Sequence, residues 1–520
     1  MDMTFRDFSK KLEEIEAVSS RLKMTDLLVS LIKQTNEKEV VAATNLVLGR
    51  LAPSYESIDF NLAGKMIIRS ISRWLDLDQD KVEKEYKKIG DLGSVVEGLG
   101  ESKRAKKEID ISEVYDRLLK MAIDAGSGSQ ERKVNLLIDL LEDIDSLSRR
   151  YVVRMVRGKL RLGFSDKTIL DALSVISVGD KTSRKLIDGA FQIRPDVAKL
   201  TSVVKKDGVG ALAKLGVEFV EPVIPALCQR LNNAEEIMEK MMEVGVEKKF
   251  DGTRVQIHYQ RLENPKNQKL KTFTRNLEES SAMFPELEKM SEYVNAKSVV
   301  LDCEAMGFDR KTGKNLPFQL TIKRKRKHDI FQTADEIPLR FYVFDILEKD
   351  GETLINKSYL ERREILKKTI VGNDVLVVSQ MKQTNDPMEL HVEHEKYLSE
   401  GFEGAVIKQI SGKYLPGRQG WNWVKIKESE GSSGKLSDTL DCVVMGYYKG
   451  KGKRASFGIG AFLVGVVDGE DILTIAKIGT GITEAQLGEL KKRLDKNKIS
   501  VIPKGYKVDK MLVPDVWVEP

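Results

Sequence analysis

The stretch GVEKKFDGTRVQIHY, residues 245–259, decides how the chain is read. Its second half, TRVQIHY, alternates polar and apolar residues as a half-buried strand does. Lys249 lies among apolar strand positions just before it, in the pattern Lys249-Phe250-Asp251-Gly252. A lysine so placed can lose its proton, because desolvation and neighbouring cations disfavour the ammonium form, and the neutral amine can then attack phosphorus or a carbonyl. The same four residues also occur at the ends of ordinary surface strands, so the surroundings must decide.

Working outward, short β-type runs continue downstream: KTFTRN, SVVLDCEAMGF, LRFYVFDIL, GAVIKQI and WNWVKIK, with helical AEEIMEKMMEV and YLERREILKKTI between them. This predicts an α+β domain over residues 216–430. Upstream, TDLLVSLIKQ, VNLLIDLLEDI and KTILDALSVI carry apolar residues at helical spacing, which predicts an all-helical domain over residues 1–215 with breaks at GLGESKRAKKE and AGSGSQERK. Beyond a polar, glycine-rich linker, ESEGSSGKLSD, the runs DTLDCVVMGYYKGKGKRASFGIGAFLVGVVDG and ILTIAKIGTG predict a small β-barrel over residues 431–520. A length of 520 residues suits three such domains, at about 150 residues each.

Composition narrows the class. Hydrophobic residues make up 41% of the chain, enough for packed cores and too much for a disordered protein. The net charge of +6 is too mild to prove a nucleic-acid partner by itself, because phosphate affinity follows local clustering. One cluster stands out in VRGKLRLGFSDKTIL and just before it: Arg154, Arg157, Lys159 and Arg161 surround a glycine turn, followed by Ser165 and Asp166 as helix caps. Such a cluster either holds backbone phosphates or forms a solvated helix face. Cys228, Cys303 and Cys442 are too far apart for a zinc site or disulfide framework, which fits a reducing cytosol. No apolar run is long enough to span a membrane, and the N-terminus lacks the order of a signal peptide.

Further residues fit one chemistry. Arg275 follows a strand in FTRNLEE, Glu304 sits in LDCEAMGF, and Phe344 in FYVFDIL offers a face to a base. Glu403 precedes Lys408 in GFEGAVIK, and Lys425 and Lys427 share a face of WVKIK. Glu304 and Glu403 are a candidate pair for a magnesium ion, with the cations neutralising a triphosphate. Each residue alone has a plain structural explanation: buried glutamate–lysine pairs for the charges, core packing for Phe344.

The series KFDGTR, FTRNLEE, LDCEA, FYVFDIL, EGAVIK and WVKIK, in that order, resembles the motif set of the covalent nucleotidyltransferases. FQLTIKRKRKHDI, the run after the linker and KIGTGITEAQL resemble the ATP-dependent DNA ligases of archaeal and eukaryotic type, and VRGKLRLGFSDKTIL resembles their helical DNA-binding domain. The resemblance implies a DNA-binding domain, a nucleotidyltransferase domain and an OB-fold. It implies that Lys249 takes AMP from ATP, passes it to the 5′-phosphate of a nick in duplex DNA, and that the 3′-hydroxyl then seals the backbone. Glu247 and Phe344 would hold the adenine, Arg254 and Arg275 the ribose and phosphate side, Glu304 the ribose, and Lys408 and Lys425 the α-phosphate, with magnesium on Glu304 and Glu403. The expected setting is a cytoplasmic monomer acting in replication, repair and recombination, with a sliding clamp as candidate partner.

Two departures are visible. Where the family commonly has an arginine, six residues before Lys425, this chain has Gln419; Arg418 beside it is the candidate substitute, although one step along a strand reverses the face. The family's C-terminal arginine and lysine motif is not met before LVPDVWVEP, so a truncated OB-fold with impaired self-adenylylation is expected. Rival readings are an RNA ligase or capping enzyme, against which the long helical domain speaks, and a noncatalytic nick-binding scaffold, which would not need Lys249 and both glutamates. The run KRKRK, residues 323–327, reads as a DNA contact or a surface strand rather than a nuclear signal.

Overall fold

In the computed structural model the described residues are 2–231, 233–262, 268–324, 330–372, 374–427, 441–450, 458–469 and 471–519; the expected linker lies outside them, as do three residues of the KRKRK run. The chain forms two compact units, Met1–Glu428 and Ser429–Pro520. The expected border near residue 215 thus falls inside the first.

The first unit begins with twelve α-helices among the described residues, from Phe5–Glu16 to Val197–Asp207. They form because apolar residues recur on one face: Phe5, Phe8, Leu12 and Ile15 all point inward from the first helix. Thr4, Asp78, Asp91, Asp110, Asp145 and Asp196 accept first-turn N–H bonds, so half of these starts are fixed by side chains rather than by packing alone. Two sequence expectations need correction. Arg154 is buried and paired with Glu16 at 2.7 Å and Asp91 at 2.6 Å, so it braces helices and belongs to no solvated or phosphate-holding cluster. Arg324 of the KRKRK run is likewise buried, against Glu286 at 2.9 Å.

The α+β part contributes β1 (Gln229–Arg230), β2 (Val244–Lys248), β3 (Thr253–Arg261), β4 (Gln268–Thr274), β5 (Ser298–Gly307), β6 (Leu339–Lys349), β7 (Glu352–Thr353), β8 (Leu376–Val378), β9 (Met381–Thr384), β10 (Gly404–Gln409) and β11 (Trp423–Lys427). They build two sheets, ordered β1-β11-β10-β2-β9 and β4-β3-β5-β6-β7, with β8 beside β6. Alternation assigns the faces. In the first sheet Val244, Val246, Ala405, Ile407, Val424 and Ile426 pack against helices Ala234–Met241 and Pro387–Ser399, so Glu247, Lys408 and Lys425 turn the other way. In the second, Val255, Ile257, Leu301, Cys303, Phe341 and Val343 form a core, leaving Arg254, Asp302, Glu304 and Phe344 off it. The chain crosses from one sheet to the other between β2 and β3, and Lys249 lies on that crossing.

The second unit holds β12 (Val443–Tyr448), β13 (Ala461–Asp468), β14 (Asp471–Ile478), β15 (Lys498–Ile499), β16 (Tyr506–Lys507) and β17 (Val516–Val518) in one sheet, ordered β15-β17-β12-β13-β14-β16. Register shifts at Val444/Gly446 and Val464/Gly465 mark bulges that bend it.

Candidate active site

A cleft of about 440 Å³ opens on the faces of the two sheets turned away from these two cores, beside a third apolar cluster that includes Trp423 and Tyr414. Glu247, Lys249, Arg254, Arg275, Glu304, Phe344, Lys408, Arg418 and Lys425 all line it, so every residue assigned from sequence to the nucleotide reaches one place. Glu403 joins them by pairing with Lys249 Nζ. The side chain of Lys427 lies outside the described ones.

The crossing that carries Lys249 is held at several points. Its N–H donates to Gly404 O at 3.0 Å, next to Glu403, so nucleophile and carboxylate come from adjoining strands. Phe250 stacks on Tyr342 with centroids 4.3 Å apart and meets Phe402 edge-on at 5.6 Å, which clamps both neighbours of the Lys249–Glu403 pair. Gly252 is demanded by space: a Cβ there would stand 2.4 Å from Ala305 O and 3.1 Å from Glu304 Cγ.

Arg254 is held in a fork by Asp302, Nε to Oδ1 at 2.9 Å and Nη2 to Oδ2 at 2.6 Å, and Tyr414 Oη donates to the same carboxylate at 2.7 Å. Glu304 is opposite Arg254 in the β3–β5 register. Burial pushes its carboxyl up to about 7, against the pull of Arg254 and Lys249. Phe344 packs edge-on to Trp423 at 5.9 Å, half-buried at the cleft.

Glu247 and Lys408 form a buried pair at 2.7 Å, and Tyr359 also bonds Glu247. Lys408 Nζ donates to Phe344 O at 3.0 Å and lies 4.4 Å from the Trp423 ring centroid. Burial lowers its ammonium pKa, with Glu247 opposing. Arg275 and Arg418 are exposed at the rim. Gln419 turns away, its Nε2 donating to Gln192 Oε1 and Pro416 O, both at 2.9 Å. The strand-face objection to Arg418 does not apply, because residues 413–420 form no strand.

Sequence reasoning missed Asp302, Tyr414 and the Phe250–Tyr342–Phe402 cluster. For Asp302 a signal existed: it is two residues before Glu304, hence on the same strand face.

For magnesium, the described residues gather no cluster of three His, Cys, Asp or Glu side chains. Glu304 and Glu403 nevertheless suit an ion that prefers hard oxygen donors and takes its remaining positions from water and phosphate.

Residues 225–427 match the family model for the ATP dependent DNA ligase domain, residues 4–174 that for the DNA ligase N terminus, and residues 455–520 that for the ATP dependent DNA ligase C terminal region. The chain is 38% identical to a probable DNA ligase of Dictyoglomus turgidum, over all of this chain and 88% of that one. It is 32% identical to a DNA ligase of Saccharolobus solfataricus, over all of this chain and 87% of that one. The solved structure Pmar-Lig_Pre has a similar fold, with a TM-score of 0.50 and 16% identity over 94% of this chain and 90% of that one. These matches define an enzyme that joins strands using ATP. The chain belongs to the ATP-dependent DNA ligase family, and the rival readings as an RNA ligase, capping enzyme or noncatalytic scaffold give way.

Proposed function

We propose that the protein seals nicks in duplex DNA through AMP bonded to Lys249. The observation that carries this reading is the convergence of Lys249 and all the residues assigned to the nucleotide on one cleft. Once its ammonium has given up a proton, Lys249 Nζ attacks the α-phosphorus of ATP; a nitrogen–phosphorus bond forms, the bond to the β-phosphate oxygen breaks, pyrophosphate leaves, and the nitrogen releases its second proton to solvent. AMP then passes to the 5′-phosphate at the nick, and the 3′-hydroxyl displaces it. Glu403 holds the Lys249 side chain toward the cleft, and the forked Arg254 presents a fixed positive charge. Phe344 offers a face to the adenine beside Glu247. Arg275, Arg418 and Lys425 bring cations to the phosphates, and Glu304 reaches the ribose. Magnesium bound by Glu304 and Glu403 would supply electrostatic stabilisation of the phosphoryl centres.

The same reading divides the chain into a DNA-binding domain over 1–215, a nucleotidyltransferase domain over 216–430 and an OB-fold over 431–520. The bulged β12–β13–β14 meander and the C-terminal family match favour the last assignment. It takes nicked DNA as substrate in replication, repair and recombination, acts as a cytoplasmic monomer, and leaves a sliding clamp as candidate partner. Among the described residues no helix is long and apolar enough to cross a membrane.

The test is the intact mass of the chain before and after ATP and magnesium. A gain of one AMP in wild type and none in Lys249→Ala is expected. Adduct in the variant would overturn the nucleophile assignment.

A further inference from the structure

The geometry points to Gln192, in the helical part, as a positioning residue for nucleotide binding: through Gln419 it fixes residues 413–420 so that Arg418 faces the cleft. The inference rests on the reading of that cleft as the nucleotide site.

The segment is attached on both sides of Arg418. On one side, Gly417 N donates to Pro225 O at 3.1 Å and Leu227 N donates to Gly417 O at 2.8 Å, a short parallel bridge to the stretch that enters β1. On the other, Gln419 Nε2 donates to Gln192 Oε1 at 2.9 Å. Gln192 lies near the end of helix Arg184–Ile193, and its own carbonyl accepts from Ile224 N at 2.9 Å. Helix end, entering stretch and loop are therefore stitched together through one residue. Gly417 and Gly420 adopt φ of +77° and +62°, which lets the chain turn tightly around the arginine. With Gly417 tied to the stretch that enters β1 and Gln419 tied to the helical part, Arg418 between them lines the cleft with Lys425 and Arg254. The backbone beneath is also shared with the catalytic wall: Ala226 O accepts from Arg254 Nη1 at 2.5 Å and Ala226 N donates to Tyr414 Oη at 2.9 Å.

Neither glutamine carries charge or touches the cleft, so their effect must pass through Arg418. That separates positioning from general loss of structure. Equilibrium binding of magnesium ATP to the full chain is measured for wild type, Gln192→Ala, Gln192→Glu, Arg418→Ala and Gln192→Ala/Arg418→Ala. Gln192→Ala is expected to weaken ATP binding about fivefold, the order of one hydrogen bond. Gln192→Glu keeps an acceptor for Gln419 and restores wild-type affinity. The double variant is no weaker than Arg418→Ala. Unchanged affinity in Gln192→Ala, with Arg418→Ala weakened, would overturn the positioning role while leaving the arginine in the site. Additive losses in the double variant would also overturn it, since Gln192 would then act by another route. Unchanged affinity in Arg418→Ala would remove that arginine and the inference with it, whereas wild type that binds no ATP would sink the nucleotide-site reading itself.

Discussion

Lys408 Nζ lies 2.7 Å from Glu247, two strands of one sheet joined by a charge pair that is almost wholly out of solvent. The register explains the meeting: Val406 is opposite Glu247 and Lys408 opposite Gly245, so Lys408 and Glu247 sit diagonally on the same face of neighbouring strands, within reach of a long side chain. A pair this deep is costly to form and far costlier to break on one side.

Glu247→Ala should therefore destabilise the chain by about 3–5 kcal/mol, because Lys408 remains buried without its carboxylate. The double variant Glu247→Gln/Lys408→Met should recover a large part of that loss. Denaturation midpoints of the single and double variants check this; equal losses in both would mean that packing, not charge, sets the effect.

Gly252→Ala should lower stability by about 1–3 kcal/mol through overpacking. It should also cut lysyl-AMP formation, since the new methyl presses on Ala305 O and on the Glu304 side chain. Adduct yield by mass and the melting midpoint are the readouts. A variant with wild-type values for both would show that the close approach is not required.

Without nucleotide and with a chelator present, stability should fall as pH rises from about 4.5 toward 7. In that window the folded chain holds a proton on Glu304, whose carboxyl sits near 7, while the unfolded chain has released it at its ordinary value of 4.5. The contribution is complete below the unfolded value and lost once pH passes the folded one. Glu304→Gln should lack this slope, and thermal melts across the window decide.

Arg154→Ala should destabilise the helical part and leave the salt dependence of DNA binding unchanged, because its guanidinium is spent on Glu16 and Asp91. Lys159→Ala, on an exposed side chain nearby, should leave stability alone and reduce the logarithmic salt slope by about 1. The reverse pattern in binding titrations would exchange their roles.

How much of this was legible in the sequence depends on the range of the interaction. The strands were readable because alternation is local; Lys249 stood out in its Lys-Phe-Asp-Gly pattern, Glu304 in a strand run and Lys425 by its strand face, whereas Glu247 was named only through the resemblance to the family. Asp302 under Arg254 and Tyr414 under Asp302 were not, since those contacts join residues 48 and 112 positions apart and leave no local pattern. Arg154 was misjudged for the same reason: its partners Glu16 and Asp91 come from other helices. The reversed-face objection to Arg418 failed because it assumed a strand where the chain forms an irregular loop.

Lys249 lies directly after β2 and Glu403 directly before β10, neighbours within one sheet, whereas Arg254, Glu304 and Phe344 stand on the other. Nucleophile and carboxylate are therefore kept together at the edge of one wall, where the Lys249 N–H donates to Gly404 O and the side chains pair. An AMP fixed to Lys249 would be tethered at the seam of the two walls, with Glu247 on its own side and Glu304 and Phe344 across from it, so the intermediate can be offered to a DNA end without first being cut loose from the enzyme.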